Sequence, residues 1–378
     1  MRTQTWLSYQ FFSFFFTWGV FMPFWTAWLV ESKGFSIYDA STLIAVSFIT
    51  RSLSTFFIFP YISKWVSLTK LSKGFSLFTF IILFLFLPLN SFESMLGGII
   101  LLSLIYPLMM PLTESTASIL MKNDHISYGK SRLWGSIGYT VALLVTGIVI
   151  WASTEDSIFI LMLLGTFFMM FGTFFAAPPS LKKREHRHSH SYKDLFVSKE
   201  FMLVLLVCIL LQGSHASYYN YGVLYLQELQ ISSIWIGVIL NIAVLAEIVF
   251  FAKSDAYFGK VPVSFLLVIA SMGTIIRWSV IYAFPYTSIF ILSQVLHAVT
   301  FGVAHYAFIR FINDKLDQKQ IPSAQGIYAS IGMGLTTGLL SFFGGYLYEI
   351  EPVLAFLGMS VVTIPCLVIS IILYVKFK

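Results

Sequence analysis

The feature that most limits what this chain can become is the recurrence of apolar runs long enough to cross a lipid bilayer. A spanning helix needs about 20 consecutive apolar residues. Twelve runs meet that measure, at about 7–29, 40–62, 74–89, 94–118, 131–152, 157–177, 200–227, 233–253, 262–284, 287–311, 323–347 and 353–376. Hydrocarbon offers no partner for backbone N–H and C=O groups, so runs of this kind are read as helices. The predicted fold is an all-α membrane protein of twelve transmembrane helices in two six-helix halves. Composition agrees: 58% of the 378 residues are hydrophobic and only 11% are charged, against roughly 25% charged in soluble domains. No cleavable signal peptide is expected, because the first apolar run is too long and no small-x-small site follows it.

Charge in the connections gives an orientation. With the N-terminus inside, twenty of the 23 Lys and Arg residues fall in inner connections, Lys33 alone falls outside, and Arg51 and Arg277 lie within apolar runs. The bias holds across all twelve segments and predicts both termini on the cytoplasmic side. It also accounts for the net charge of +6, leaving nothing to suggest nucleic acid. The longest connection, PPSLKKREHRHSHSYKDLFVSK at 178–199, divides six runs from six. The expected domains are therefore 1–177, a cytoplasmic basic linker at 178–199, and 200–378. Two six-helix halves joined by a polar linker form the layout of a rocking transporter, with its site near mid-membrane. His186, His188 and His190 in the linker read as part of a solvated basic stretch, since no acidic or Cys ligand fixes a metal geometry. Cys208 and Cys366 read as small apolar-run residues. No metal and no cofactor is expected.

The residues that a bilayer should reject carry the functional signal. In the first half they are Arg51, Glu114 and Arg132. In the second they are His215, Glu247, Arg277, Gln294, His297 and His305, with Gln212 and Asn241 as weaker cases. Glu114 and Arg132 stand eighteen positions apart across PLTESTASILMKNDHISYGKSRLWGSIGY, so a tight helical hairpin lets them meet, either as a structural ion pair or as part of a substrate site. Gln212, His215 and Tyr219 share one helical face, as do Gln294, His297 and Phe301. A lone membrane histidine is often a packing residue. A carboxylate, a guanidinium and several imidazoles in one half exceed what packing requires, and such sets suit proton relays. No nucleophile elbow, HExxH or phosphate loop appears, so an enzyme is not expected.

The ensemble resembles the major facilitator superfamily. YGKSRLWGSIGY at 128–139 looks like the fifth helix of lactose-permease-type symporters, where an arginine pairs with a fourth-helix acid. Those positions fall here on Arg132 and Glu114. RWSVI at 277–281 and SQVLHAV at 293–299 resemble the ninth and tenth helices, placing that family's arginine and histidine on Arg277 and His297, and Glu247 resembles its eighth-helix acid. Two positions depart: Thr300 stands where the sugar carriers have a further acid, and Gln294 where they have a basic residue. The phenylpropionate permease branch is a closer match over essentially the whole length, in FMPFWTAWL at 21–29, PLTES at 111–115, YGKSRLWGSIG at 128–138, LLQGSHASYY at 210–219, LAEIVFFAKS at 245–254 and VLHAVTFGVAHYAFIRFI at 295–312. DAYFGK at 255–260 looks like the superfamily's second-half loop signature. Its first-half counterpart is degenerate, as SKWVSLTKLSKG.

The expectation is a monomeric secondary transporter, a proton symporter of a small aromatic carboxylate such as 3-phenylpropionate. Arg51 or Arg132 would face the carboxylate, with Glu114, His215 and Tyr219 in the same site. Glu247, Arg277 and His297 would couple protons, and Gln212, Gln294 and His305 are secondary candidates. A sugar or nucleoside symporter, with Glu114 and Arg132 bridging hydroxyls, is the alternative, and a membrane enzyme or sensor on the same scaffold is the third reading.

Overall fold

The computed structural model describes residues 2–182, 193–317 and 320–376. All regular structure among them is helical. Eleven helices are long and apolar enough to cross a membrane: α1 Thr3–Ser32, α2 Ile37–Trp65, α3 Leu68–Leu85, α4 Phe92–Asp124, α5 Tyr128–Ala152, α7 Lys199–Glu228, α8 Ser233–Phe258, α9 Val263–Ala283, α10 Thr287–Lys315, α11 Ile321–Ile350 and α12 Leu354–Lys376. The remaining apolar helix, α6 Asp156–Gly172, has 17 residues. It falls on the sixth predicted run but stops five residues early, at Gly172 with Thr173 as its cap. Two prolines follow at Pro178 and Pro179, and the residue before a proline avoids the helical conformation.

Helix ends depart from the apolar runs because the hydrocarbon limits polarity, not helicity. α3 begins at Leu68, inside the polar stretch LTKLSK, and α4 continues past its apolar run to Asp124. α8 runs through part of DAYFGK to Phe258, so those residues are not a loop throughout. Ser36, Ser91, Ser127 and Ser198 start α2, α4, α5 and α7, each hydroxyl accepting from the amide three residues on, which satisfies an otherwise orphaned N–H. His125 ends α4 with φ +50°. Of the linker, Pro179–Lys182 and Lys193–Val197 form short helical turns; His186, His188 and His190 lie outside the described residues.

The chain divides into two compact units, Met1–His188 with Ser232–Val238, and Ser189–Ile231 with Ile239–Lys378. In the first, α1 packs along α5. Gly138 permits this approach, since a Cβ there would lie 2.5 Å from the Phe12 carbonyl oxygen. In the second, α9 packs along α12. Phe57, Trp65, Phe174 and Val249 stay more than 60% exposed, as lipid-facing side chains do.

Several helices are interrupted, and three of the interruptions lie at or just after polar residues singled out above. α4 tightens to a single 3₁₀ turn at Tyr106–Leu108, where Pro107 and Pro111 remove ladder donors. α7 breaks at Ser214–His215 between Lys199–Gly213 and Ala216–Glu228. α10 widens to a π-helical stretch at Ala298–Val303, just after His297, and α2 does so at Ser54–Ile58, just after Arg51. Bulges of this kind re-aim side chains and are frequent at functional sites.

Candidate functional site

In the first unit, the Glu114 and Arg132 side chains approach to 3.8 Å, each about a third exposed. The Tyr128 hydroxyl lies 3.0 Å from one Glu114 oxygen and 3.1 Å from the other, and the Arg132 guanidinium stacks 4.1 Å from the Phe15 ring. The acid thus has a neutral donor and a cation, and the cation has an aromatic face. Such a pair is already neutralised.

Arg51 is differently placed. Its guanidinium lies 4.6 Å from the Trp18 ring centroid and 5.9 Å from that of Phe48, contacts that favour a cation. No carboxylate among the described residues lies within 4 Å of it. It lines a small cleft with Trp18, Phe21, Ser47, Phe48, Ser103 and Tyr106. The Ser47 and Ser103 hydroxyls satisfy each other at 2.8 Å. Tyr106 is 1% exposed, and its hydroxyl has no hydrogen-bond partner among the described residues.

In the second unit, α7, α8, α9 and α10 bring the titratable groups into one network. Arg277 is fully buried. Its Nη1 lies 3.1 Å from His297 Nδ1 and 3.0 Å from Thr300 Oγ1. An arginine only donates, so His297 Nδ1 accepts, and the ring proton of the neutral imidazole sits on Nε2. That nitrogen faces Glu247 Oε2 at 3.6 Å. The second branch has an equally fixed direction. His215 Nδ1 lies 2.9 Å from the Leu211 carbonyl and must donate to it, so Nε2 accepts from Thr300 Oγ1 at 2.9 Å. Arg277 therefore heads two chains, one reaching His297, whose far nitrogen faces the Glu247 carboxylate, and one ending on a backbone carbonyl. The Tyr218 and Trp278 rings cover the guanidinium at 4.9 and 4.4 Å. Its Nε and Nη2, the edge that suits a bidentate carboxylate, have no hydrogen-bond partner among the described residues.

The remaining candidates divide. The Tyr219 ring lies 5.8 Å from that of His215, one helical turn on, and the break at Ser214–His215 separates this pair from the turn that carries Gln212. Phe301 stacks between His297 and His305, at 5.1 and 6.1 Å. His305 Nδ1 sits 3.4 Å from the Tyr328 hydroxyl, outside the Arg277 network. Gln212 donates to the Phe301 carbonyl at 3.4 Å. Gln294 donates to the Phe290 carbonyl at 3.0 Å and to Ser293 at 3.2 Å, so it serves its own helix rather than the network. Three contributors escaped the sequence reading: Tyr128, Tyr106 and Thr300. Thr300 attracted notice only as the residue replacing an acid, and it is the junction between Arg277 and His215. No group of three or more His, Cys, Asp or Glu among the described residues is disposed to hold a metal ion.

A family model described as the MFS_1 like family matches residues 4–358. The chain belongs to that family. It is a multi-pass membrane transporter of the major facilitator superfamily, and its curated relatives are permeases and transporters, in keeping with a carrier rather than an enzyme. This MFS_1-like protein is 27% identical over 370 residues to the "Probable 3-phenylpropionic acid transporter" of Escherichia coli (strain K12), which spans 97% of each chain. It is 25% identical over 259 residues to the maltose permease of Geobacillus stearothermophilus, covering 66% of this chain and 64% of the permease. The crystal structure of the nucleoside transporter NupG superposes over all of both chains with a TM-score of 0.83 at 16% identity, a likeness of fold.

Proposed function

We propose that this transporter is a proton symporter importing a small aromatic carboxylate, of the 3-phenylpropionate class, across a bacterial inner membrane. The observation that carries the substrate class is the Arg51 cleft. A guanidinium with no acid beside it, set against Trp18 and Phe48, suits an anionic aromatic ligand. Arg132 is less suited, because Glu114 already compensates its charge. The long match to a probable 3-phenylpropionic acid transporter points the same way.

Protons are assigned to the Glu247 chain. Ionised, Glu247 places a negative charge 3.6 Å from His297 Nε2; protonated, it removes that charge from beside the imidazole that accepts from Arg277. The reading includes twelve crossings, with α6 as the sixth, an N-terminal half at 1–177, a basic linker at 178–199, a C-terminal half at 200–378, both termini cytoplasmic, and a functional monomer.

The test is uptake into membrane vesicles with an imposed pH gradient, acid outside, competed with aromatic acids, neutral aromatic alcohols, disaccharides and nucleosides. Accumulation of labelled 3-phenylpropionate, blocked by other aromatic acids and abolished when the gradient is collapsed, is expected. Competition by sugars or nucleosides alone would move the assignment to the second class.

A further inference from the structure

We infer that the Tyr106 hydroxyl is the second donor to the substrate's carboxylate, acting beside Arg51. The inference rests on the aromatic-acid reading of the Arg51 cleft and names a residue that reading does not use. Tyr106 stands in the single 3₁₀ turn of α4, forced by its neighbour Pro107. The turn sets its ring among those of Phe14, Trp18 and Phe21, with centroids 5.7, 5.9 and 6.0 Å away. Its hydroxyl is buried without a hydrogen-bond partner among the described residues, although tyrosine O–H groups usually find one when buried. A buried donor left unpaired costs stability, and here it lines the same cleft as an uncompensated cation. The cleft that both line measures about 10 Å³, close to the least space that holds one water-sized group. A carboxylate oxygen fits that space, and a whole substrate does not. The cleft is therefore a head-group seat, with one oxygen shared by Arg51 and Tyr106 and the substrate's ring lying beyond it. Ser47 and Ser103 line the wall but are spent on each other.

The test is the Tyr106→Phe variant of the full-length carrier, reconstituted in vesicles and compared with wild type in counterflow of 3-phenylpropionate. Half-saturation should rise about tenfold or more, the worth of a hydrogen bond to a charged group. Inhibition by the neutral 3-phenylpropanol, which has no carboxylate, should be unchanged. Thermal stability of the purified variant should not fall, because the substitution removes an unpaired buried hydroxyl and keeps the ring. A variant whose affinity for the acid equals that of wild type overturns the assignment of Tyr106 and leaves the aromatic-acid reading standing. A loss that extends equally to the alcohol overturns it too, since the hydroxyl would then shape the cleft rather than hold the charge. A wild-type carrier that takes no aromatic acid removes the parent reading, and this one with it.

Discussion

Arg277 can only donate, and that single fact orders the hydrogen bonds around it. His297 accepts from it and turns its own N–H toward Glu247, 3.6 Å away, Thr300 presents its proton to His215, and His215 is anchored to its own helix. In the proposed symporter, Glu247 is the member best placed to exchange a proton, since its side chain is 32% exposed while His297 is 6% exposed. Glu247→Gln keeps the size of the side chain and removes its charge cycle. Accumulation of substrate against a gradient should then fail, while counterflow of labelled for unlabelled substrate persists, because exchange does not require the proton to leave. A variant that still accumulates substrate in response to a pH gradient, acid outside, would shift the role to His297 or Glu114. The charged and imidazole members of this network are legible in the sequence because hydrocarbon rejects them. Thr300 and Tyr106 are not. A hydroxyl can satisfy itself on its own helix, as Thr274 does on Ala270, so its presence in an apolar run carries no signal. Tyr106 is also one of 19 tyrosines in a chain with 18% aromatic residues. Only the two prolines of PLMMP hint that the helix around it is broken.

Helices of this protein carry two kinds of glycine, and they should respond oppositely to a methyl group. At Gly138 the added Cβ would meet the Phe12 carbonyl, so Gly138→Val forces α1 and α5 apart. Overpacking of this kind costs about 1–3 kcal/mol. At Gly97, in α4, nothing lies within 4 Å of the added atom. There Gly97→Ala should be neutral or stabilising by up to about 1 kcal/mol, through helix propensity alone. Thermal unfolding midpoints of the two variants in one detergent check the pair, and a Gly138→Val midpoint at or above wild type would contradict the packing described. The existence of the long helices is legible because a run of 20 apolar residues has few other fates. Their interruptions are less so. The break at Ser214–His215 and the π-helical stretch after His297 lie within apolar runs without a proline, and they are set by the side chains that the helices must present to one another. A reading by strict 3.6-residue periodicity places Gln294 beside His297 on one face, and the structure instead leaves Gln294 bonded to its own turn.

For the molecule as a whole, the count of crossings turns on α6. Seventeen residues make a helix of about 25 Å at 1.5 Å per residue, short of the ~30 Å hydrocarbon thickness. Bilayer thinning and the residues flanking a short helix can absorb a mismatch of this size at modest cost. If α6 crosses, Ser153 and the 178–199 linker lie on opposite faces, the two termini share a face, and the lysines and arginines gather on one side as the connections suggest. If α6 lies along the surface, Ser153 and the linker share a face, every later segment inverts, and the bias of basic residues reverses in the second half. Charge therefore argues for the crossing, since the translocation of so many short basic connections is disfavoured. Single cysteines decide the matter. Ser153 is exposed at the end of α5, and both native cysteines, Cys208 and Cys366, are buried, so background labelling is low. A membrane-impermeant maleimide applied to intact cells should modify Ser153→Cys and spare Ser189→Cys, which lies in the linker outside the described residues, until the cells are opened. Labelling of both from outside would remove α6 from the spans. Labelling of Ser189→Cys alone would turn the whole molecule over in the membrane.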